Sequence, residues 1–254
     1  MTTLKLHGMR MGDLIRSCYA ACPRHIAWMP GEAYGEFNID DHNKTVKRVL
    51  FCVTPTQQVQ VHFRKYKYDL LISHHPYQTR DIPQIILHTA LDCCEGGLND
   101  MWRDHIELKN TCQHFDGTLG WHGEVEPIQF SELLSKVKRL SGTISGETFN
   151  QKGMTDIIKT VVICSGLGGM VNDLALATEA DCYILGQNIM AAKDTGFKAV
   201  IETGHTASEW IGVNFFKKVL AGVQVDLAPA DLDVYGEEFY RERAYNARKT
   251  KGEL

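Results

Sequence analysis

The stretch Asp69-Leu70-Leu71-Ile72-Ser73-His74-His75-Pro76 decides the fold class of this chain. Its aliphatic residues run on without alternating with polar ones, the pattern of a strand buried on both faces of a helix-covered parallel sheet. Pro76 has no N–H to give to a ladder, so the strand stops there. In such sheets the loops beyond the carboxyl ends of the strands form the ligand crevice. Two adjacent imidazoles at that point are where metal ligands are expected, since neutral imidazole is the commonest protein ligand for transition metals. The plainer alternative for the pair alone is one packed and one solvated loop histidine.

Working outward, residues 46–53 read as a preceding strand and 56–67 as the helix that joins the two. This is a β-α-β unit, which needs a right-handed crossover and a parallel pair. Residues 9–21 form an amphipathic helix that ends before Pro23. Residues 24–43 are irregular, and 84–89 make a short apolar strand. Gly96-Gly97-Leu98-Asn99-Asp100 turns the chain into a helix reaching about residue 108. Residues 109–129, rich in Gly, His and Thr and carrying Pro127, place a boundary between two halves nearby. A helix over 131–140 follows, with Ser131 as its N-cap.

The second half repeats the first: strands over 157–164, 181–185 and 199–202, helices over 170–180 and 205–220. The registers agree, because Asp69 stands 17 residues after Cys52 and Asp181 stands 17 after Cys164. The expected fold class is therefore α/β. Two similar lobes, 1–128 and 129–254, each carry a mainly parallel sheet flanked by helices, with a metal site in the cleft between them.

Composition narrows the function. A chain of 254 residues with 44% hydrophobic content has enough apolar material for one large domain or two small ones. A net charge of −4 and a pI near 6.3 lack the basic surplus of a general nucleic-acid binder, so nucleic acid is not an expected partner. No apolar run approaches the ~20 residues of a membrane span. Met1-Thr2-Thr3-Leu4-Lys5 has no apolar core of a signal peptide. Eight cysteines, with no Cys-x-x-Cys pair, fall below the density of a disulfide scaffold, which points to a reducing cytoplasm.

After the third strand of each half stands nearly the same pentapeptide, His88-Thr89-Ala90-Leu91-Asp92 and His205-Thr206-Ala207-Ser208-Glu209. A histidine and a carboxylate four residues apart share one face of a helix. Taken singly, each pentapeptide is an ordinary hydrogen-bonded pair. Together with His74 and His75 they make four imidazoles and two carboxylates, enough for two divalent ions if a carboxylate bridges and water completes the shells. Such mixed ligation admits Zn, Fe, Mn, Ni or Co.

Here the chain resembles the dinuclear-metal proteins called Ngg-one-interacting-factor-three-like, some of which are named GTP cyclohydrolase I type 2. The resemblance rests on Ser73-His74-His75-Pro76, on His88 to Asp92 followed by Gly96-Gly97-Leu98-Asn99-Asp100, on Cys164-Ser165-Gly166-Leu167-Gly168-Gly169, and on Gly204 to Glu209. It implies two α/β lobes, a metal pair ligated by His74, His75, His88, Asp92, His205 and Glu209, and a ring-shaped cytoplasmic homohexamer. The chain departs from the family at Trp28-Met29-Pro30-Gly31, Cys52-Val53-Thr54 and Leu185-Gly186-Gln187 with Met190-Ala191-Ala192, so groups around the ligands have diverged.

Two functions follow as alternatives. One is a metal-dependent hydrolase acting on a small molecule such as a nucleotide, with Glu95 or Asp100 as a proton carrier. The other is a non-catalytic metal-binding interaction protein or metallochaperone. Gly166-Leu167-Gly168-Gly169 reads as a tight turn rather than a phosphate cradle. Cys93 and Cys94, next to Asp92 and Glu95, are poor candidates for a nucleophile. Trp28, Tyr34 and Phe37 in the irregular segment are candidates for an intersubunit contact. The charged tail 241–251 reads as a solvated end.

Overall fold

The computed structural model describes residues 7–29, 31–113, 119–142, 148–187 and 196–233. The Met190-Ala191-Ala192 stretch, Pro30 and the tail 241–251 lie outside them. Eleven of the strands fall into two mixed sheets. In the first, β4 (Arg48–Cys52), β5 (Leu70–Ser73) and β6 (Gln84–Ile86) run parallel. Here β13 (Gln224–Leu227) lies parallel along β4, and β2 (Gly35–Phe37) pairs antiparallel with β6. In the second, β10 (Ile157–Cys164), β11 (Cys182–Leu185) and β12 (Ala199–Glu202) run parallel. Antiparallel β8 (Trp121–Gln129) and β7 (Lys109–Gln113) extend one edge and β9 (Thr148–Asn150) the other. A small ribbon pairs β1 (Met9–Arg10) with β3 (Thr45–Val46).

The repeated register has a visible cause. Asp69 Oδ2 accepts the amides of Lys47 (2.9 Å) and Arg48 (3.1 Å), and Asp181 Oδ2 accepts those of Lys159 (2.9 Å) and Thr160 (3.1 Å). Each aspartate thus ties the start of its own strand to the start of the neighbouring one, which sets the parallel pair.

Successive strand residues point to opposite faces, and in β4, β5, β11 and β12 all but Arg48 are buried, so each sheet packs on both sides. Leu50, Cys52 and Leu71 meet Val59 and Phe63 of α2 (Gln57–Lys65), whose N-cap is Thr56, accepting from Val59 N at 3.1 Å. Val162, Tyr183 and Leu185 meet Val171 and Ala175 on the outer side of the second sheet. The inner faces share one core: Phe51 and Ile72 from one sheet, Ile163 and Ile184 from the other. Between them pack Leu14 of α1 (Met11–Ala21), Leu91 of α3 (His88–Cys93), Trp102 of α4 (Leu98–Ile106) and Leu133 of α5 (Phe130–Ser141). The sheets therefore fold around a common interior.

Several expected elements differ. Residues 109–129, expected at a boundary between halves, hold β7 and β8; β7 pairs with β8, and β8 with β10 farther along the chain. Sheet membership also interleaves across residue 128, since β7 and nearly all of β8 join the second sheet and β13 joins the first. Ser131 is not the N-cap of α5; Gln129 occupies that place without a side-chain bond, and Ser131 N donates to Met154 O at 3.0 Å. The helix expected over 170–180 is a short turn at Gly168–Val171 followed by α6 (Asn172–Leu176). The one expected over 205–220 is α7 (His205–Glu209) and α8 (Gly212–Val219), broken where Gly212 abuts Phe51. Trp28, Tyr34 and Phe37 pack on their own chain: Trp28 against the outer core of the second sheet, Tyr34 on Tyr19, Phe37 in β2. Among the described residues no helix is long and apolar enough to cross a membrane.

Candidate metal centre

The carboxyl ends of β5, β6, β10 and β12 converge. His74 and His75 prolong the ladder of β5, His74 N–H donating to Cys52 O (3.0 Å) and His75 N–H to Val53 O (2.8 Å). His88 opens α3, its amide donating to His74 O at 3.0 Å, and Asp92 follows one turn later. From the second sheet, His205 opens α7 and Glu209 closes it.

All six predicted ligands meet. Glu209 is central: its Oε1 lies 3.2 Å from His74 Nε2 and 3.3 Å from His205 Nε2, and its Oε2 lies 3.4 Å from His75 Nε2. Asp92 Oδ2 is 3.7 Å from His74 Nε2, and the Nε2 atoms of His75 and His205 are 3.1 Å apart. The His88 ring stands 5.1 Å from that of His74 and 5.9 Å from that of His75. The donors fall into three overlapping groups, His74–His75–His88, His75–His205–Glu209 and His74–Asp92–Glu209, each with its ligand atoms within 4.8 Å of one another.

Sequence reasoning missed the groups that hold these ligands. Glu32 Oε2 accepts from His88 Nδ1 at 2.6 Å, while its other oxygen accepts the amide and hydroxyl of Thr89 (3.1 and 2.8 Å). Thr54 Oγ1 lies 2.8 Å from His75 Nδ1, and Gln187 Oε1 lies 3.2 Å from His205 Nδ1. Ser165 Oγ donates to Asp92 Oδ1 at 3.0 Å. Asn99 donates to Asp92 O (3.1 Å) and accepts from Ser165 N (2.9 Å), so it joins α3 to the turn after β10. The Gly-Gly-Leu-Asn-Asp motif carried the signal for Asn99: Gly97 sits where a Cβ would strike Leu91 O and Cys94, which lets α4 start against α3. Glu32 had no such signal, lying in a segment without periodicity.

The donor set fits divalent ions. Glu32 and Gln187 lie at Nδ1 of His88 and His205, which turns Nε2 of each ring inward, as a metal ligand requires. Nε2 of His205 stands 3.3 Å from Glu209 Oε1 and 3.1 Å from His75 Nε2, a spacing at which these atoms can share an ion. Glu209 Oε2 is fully buried and accepts no hydrogen bond among the described residues, a costly state for a carboxylate oxygen.

The charges argue alike. Burial opposes ionisation of Glu209, yet the imidazoles of His205, His74 and His75 hold its carboxyl well below the usual range. Burial also lowers His74, but Glu209 and Asp92 outweigh it and lift the imidazole to about 9. Burial drops His75 to about 3, with His205 and His74 adding to the effect. Asp92 is raised, first by burial. The centre thus concentrates negative charge that one proton on His74 only partly offsets.

A cavity of about 860 Å³ opens over these donors, lined further by Trp28, Tyr77, Leu119, Leu167 and Met170. Neither expected proton carrier lines it. Asp100 is committed to Gly96 N, Arg103 and Trp121, and Glu95 is exposed. Cys93 is held far up as a thiol, by burial and then by Asp92, and is no nucleophile.

The fold and the cluster define a mixed α/β protein whose strand ends gather histidines and carboxylates into a candidate metal site. The chain belongs to the Duf34/NIF3 (NGG1p interacting factor 3) family, whose model matches residues 9–86 and 77–233. It is 25% identical over 249 residues to the GTP cyclohydrolase 1 type 2 homolog of Methanocaldococcus jannaschii, covering 89% of this chain and all of that one. The protein of the same name from Lactococcus lactis is 26% identical over 203 residues, covering 70% and 77%. In fold the chain is similar to reduced HcgD from Methanocaldococcus jannaschii (TM-score 0.74, 23% identity, 88% and 99% covered). It is also similar to a hypothetical protein of Staphylococcus aureus (TM-score 0.70, 20% identity, 90% and 99% covered).

Proposed function

We propose that this protein is a metal-dependent hydrolase with two divalent ions held by His74, His75, His88, Asp92, His205 and Glu209. The observation that carries the reading is the overlap of three donor groups on shared members, His74, His75 and Glu209, within 4.8 Å. Divalent ions bound there supply Lewis-acid polarisation and a water ionised near neutral pH.

The chain's own residues do the rest. Glu209, between three imidazoles, would be shared by both ions. Glu32, Thr54 and Gln187 fix the rings of His88, His75 and His205, while Ser165 and Asn99 fix Asp92. Leu119, Leu167 and Val171 make an apolar wall that limits water beside the donors. The reaction proposed is hydrolytic opening of a C–N bond in a ring, in keeping with the cyclohydrolase name of the relatives. A cytoplasmic location and a ring-shaped homohexamer belong to the same proposal.

The test is metal analysis of protein purified without chelator, followed by turnover of purine nucleotides and nucleosides. Two ions per chain and ring opening that ceases on chelation are expected. Two ions without turnover of any of them leave the interaction-protein or metallochaperone reading in its place.

A further inference from the structure

The cavity walls carry information about what enters. Trp28, Met29, Tyr77, Leu119, Leu167 and Met170 present flat or apolar surface around the donor floor. Its volume of about 860 Å³ falls in the range of pockets that bury a small organic ligand. Among the described lining residues there is no lysine and no arginine.

In the turn after β10, four backbone amides that could have received a phosphate are taken. Gly166 N donates to Ser208 Oγ (2.8 Å), Gly168 N to Gly166 O (2.9 Å), Gly169 N to Gln187 O (3.0 Å) and Met170 N to Leu167 O (3.0 Å). The glycines serve close packing. A Cβ at Gly168 would sit 2.8 Å from both Leu185 Cβ and Tyr183 Oη, and one at Gly186 would strike Gly166 O.

Charge points the same way. Glu32, Asp92 and Glu209 border the cavity. A nucleoside triphosphate would bring several negative charges into a space lined by three carboxylates and by no described lysine or arginine.

We infer that the site takes an unphosphorylated planar heterocycle, a nucleobase or nucleoside rather than a nucleotide, stacked on the Trp28 and Tyr77 side with its ring edge over the donor cluster. This inference rests on the hydrolase reading for what happens next, but the binding itself does not need the ions. It narrows the substrate in a direction that the relatives' name, which refers to GTP, does not suggest.

The experiment is calorimetric titration of the full chain, stripped of metal, with guanosine against GTP and adenosine against ATP. Each pair shares ring and sugar and differs only in its phosphates. At least one nucleoside is expected to bind ten times or more tightly than its triphosphate. Met170 is 56% exposed at the cavity lip. Met170→Lys supplies a cation there and should raise triphosphate affinity severalfold relative to nucleoside affinity. Triphosphates that bind the unsubstituted protein as well as nucleosides do would overturn the inference, as would binding of neither class. Metal content of the untreated protein separates the two proposals: two ions without nucleoside binding sinks this inference alone, and nucleoside binding without ions sinks the hydrolase reading alone.

Discussion

Glu32 Oε2 lies 2.6 Å from Nδ1 of His88, so a carboxylate from the irregular segment before β2 aims a ligand of the first sheet. A buried carboxylate behind a ligating imidazole fixes its tautomer and raises its basicity, and losing such a partner costs roughly 10–100-fold in metal affinity. Glu32→Ala should lower zinc affinity by about that factor, read by competition with a chromogenic chelator. Unchanged affinity would mean that His88 is not a ligand.

Glu209 touches the Nε2 atoms of His74, His75 and His205 at once, whereas each histidine is one donor among several. Glu209→Ala should therefore remove more metal than His75→Ala or His205→Ala. Elemental analysis of the three variants tests this, and equal content in all of them would remove the bridging role.

Gly166 has φ +65, and a Cβ there would overlap the Glu209 carboxylate. For an L-residue this backbone costs about 1–2 kcal/mol, before any displacement of Glu209. Gly166→Ala should lower Tm and metal content together. A variant with wild-type metal content would show that the turn gives way without moving the carboxylate.

His74, lifted to about 9 despite burial by Glu209 and Asp92, makes the metal-free protein sensitive to alkali. Its native imidazole binds a proton more tightly than the unfolded one at 6.5. The stability it contributes is full below pH 6.5 and is lost as pH rises through about 9, at roughly 1.4 kcal/mol per unit as an upper limit. Chelator-treated protein should lose Tm over that window, and His74→Gln should flatten this limb. A Tm that holds from pH 6.5 to 9 would refute the assignment.

The fold and the donors were not equally legible. Continuous apolar runs and the matched spacing of Asp69 and Asp181 identified the two β-α-β units, because burial on both faces and a fixed crossover leave local traces. Strands β7, β8 and β13 left weaker ones: most of β7 is exposed, and β8 and β13 pair with strands distant in sequence, β10 and β4.

What the sequence determined by itself was the chemistry of the site. The six donors stand at strand ends and one helical turn apart, and short-range geometry alone puts His88 with Asp92 and His205 with Glu209. Only the tertiary structure decided that Glu209 lies among three imidazoles, that Glu32 backs His88 and that Asn99 ties Asp92 to Ser165. The long-range ones, Glu32–His88, Asn99–Ser165 and His74–Glu209, join residues 56 to 135 positions apart. They exist because the two sheets pack around one core, a long-range result of side-chain volume that no local pattern encodes.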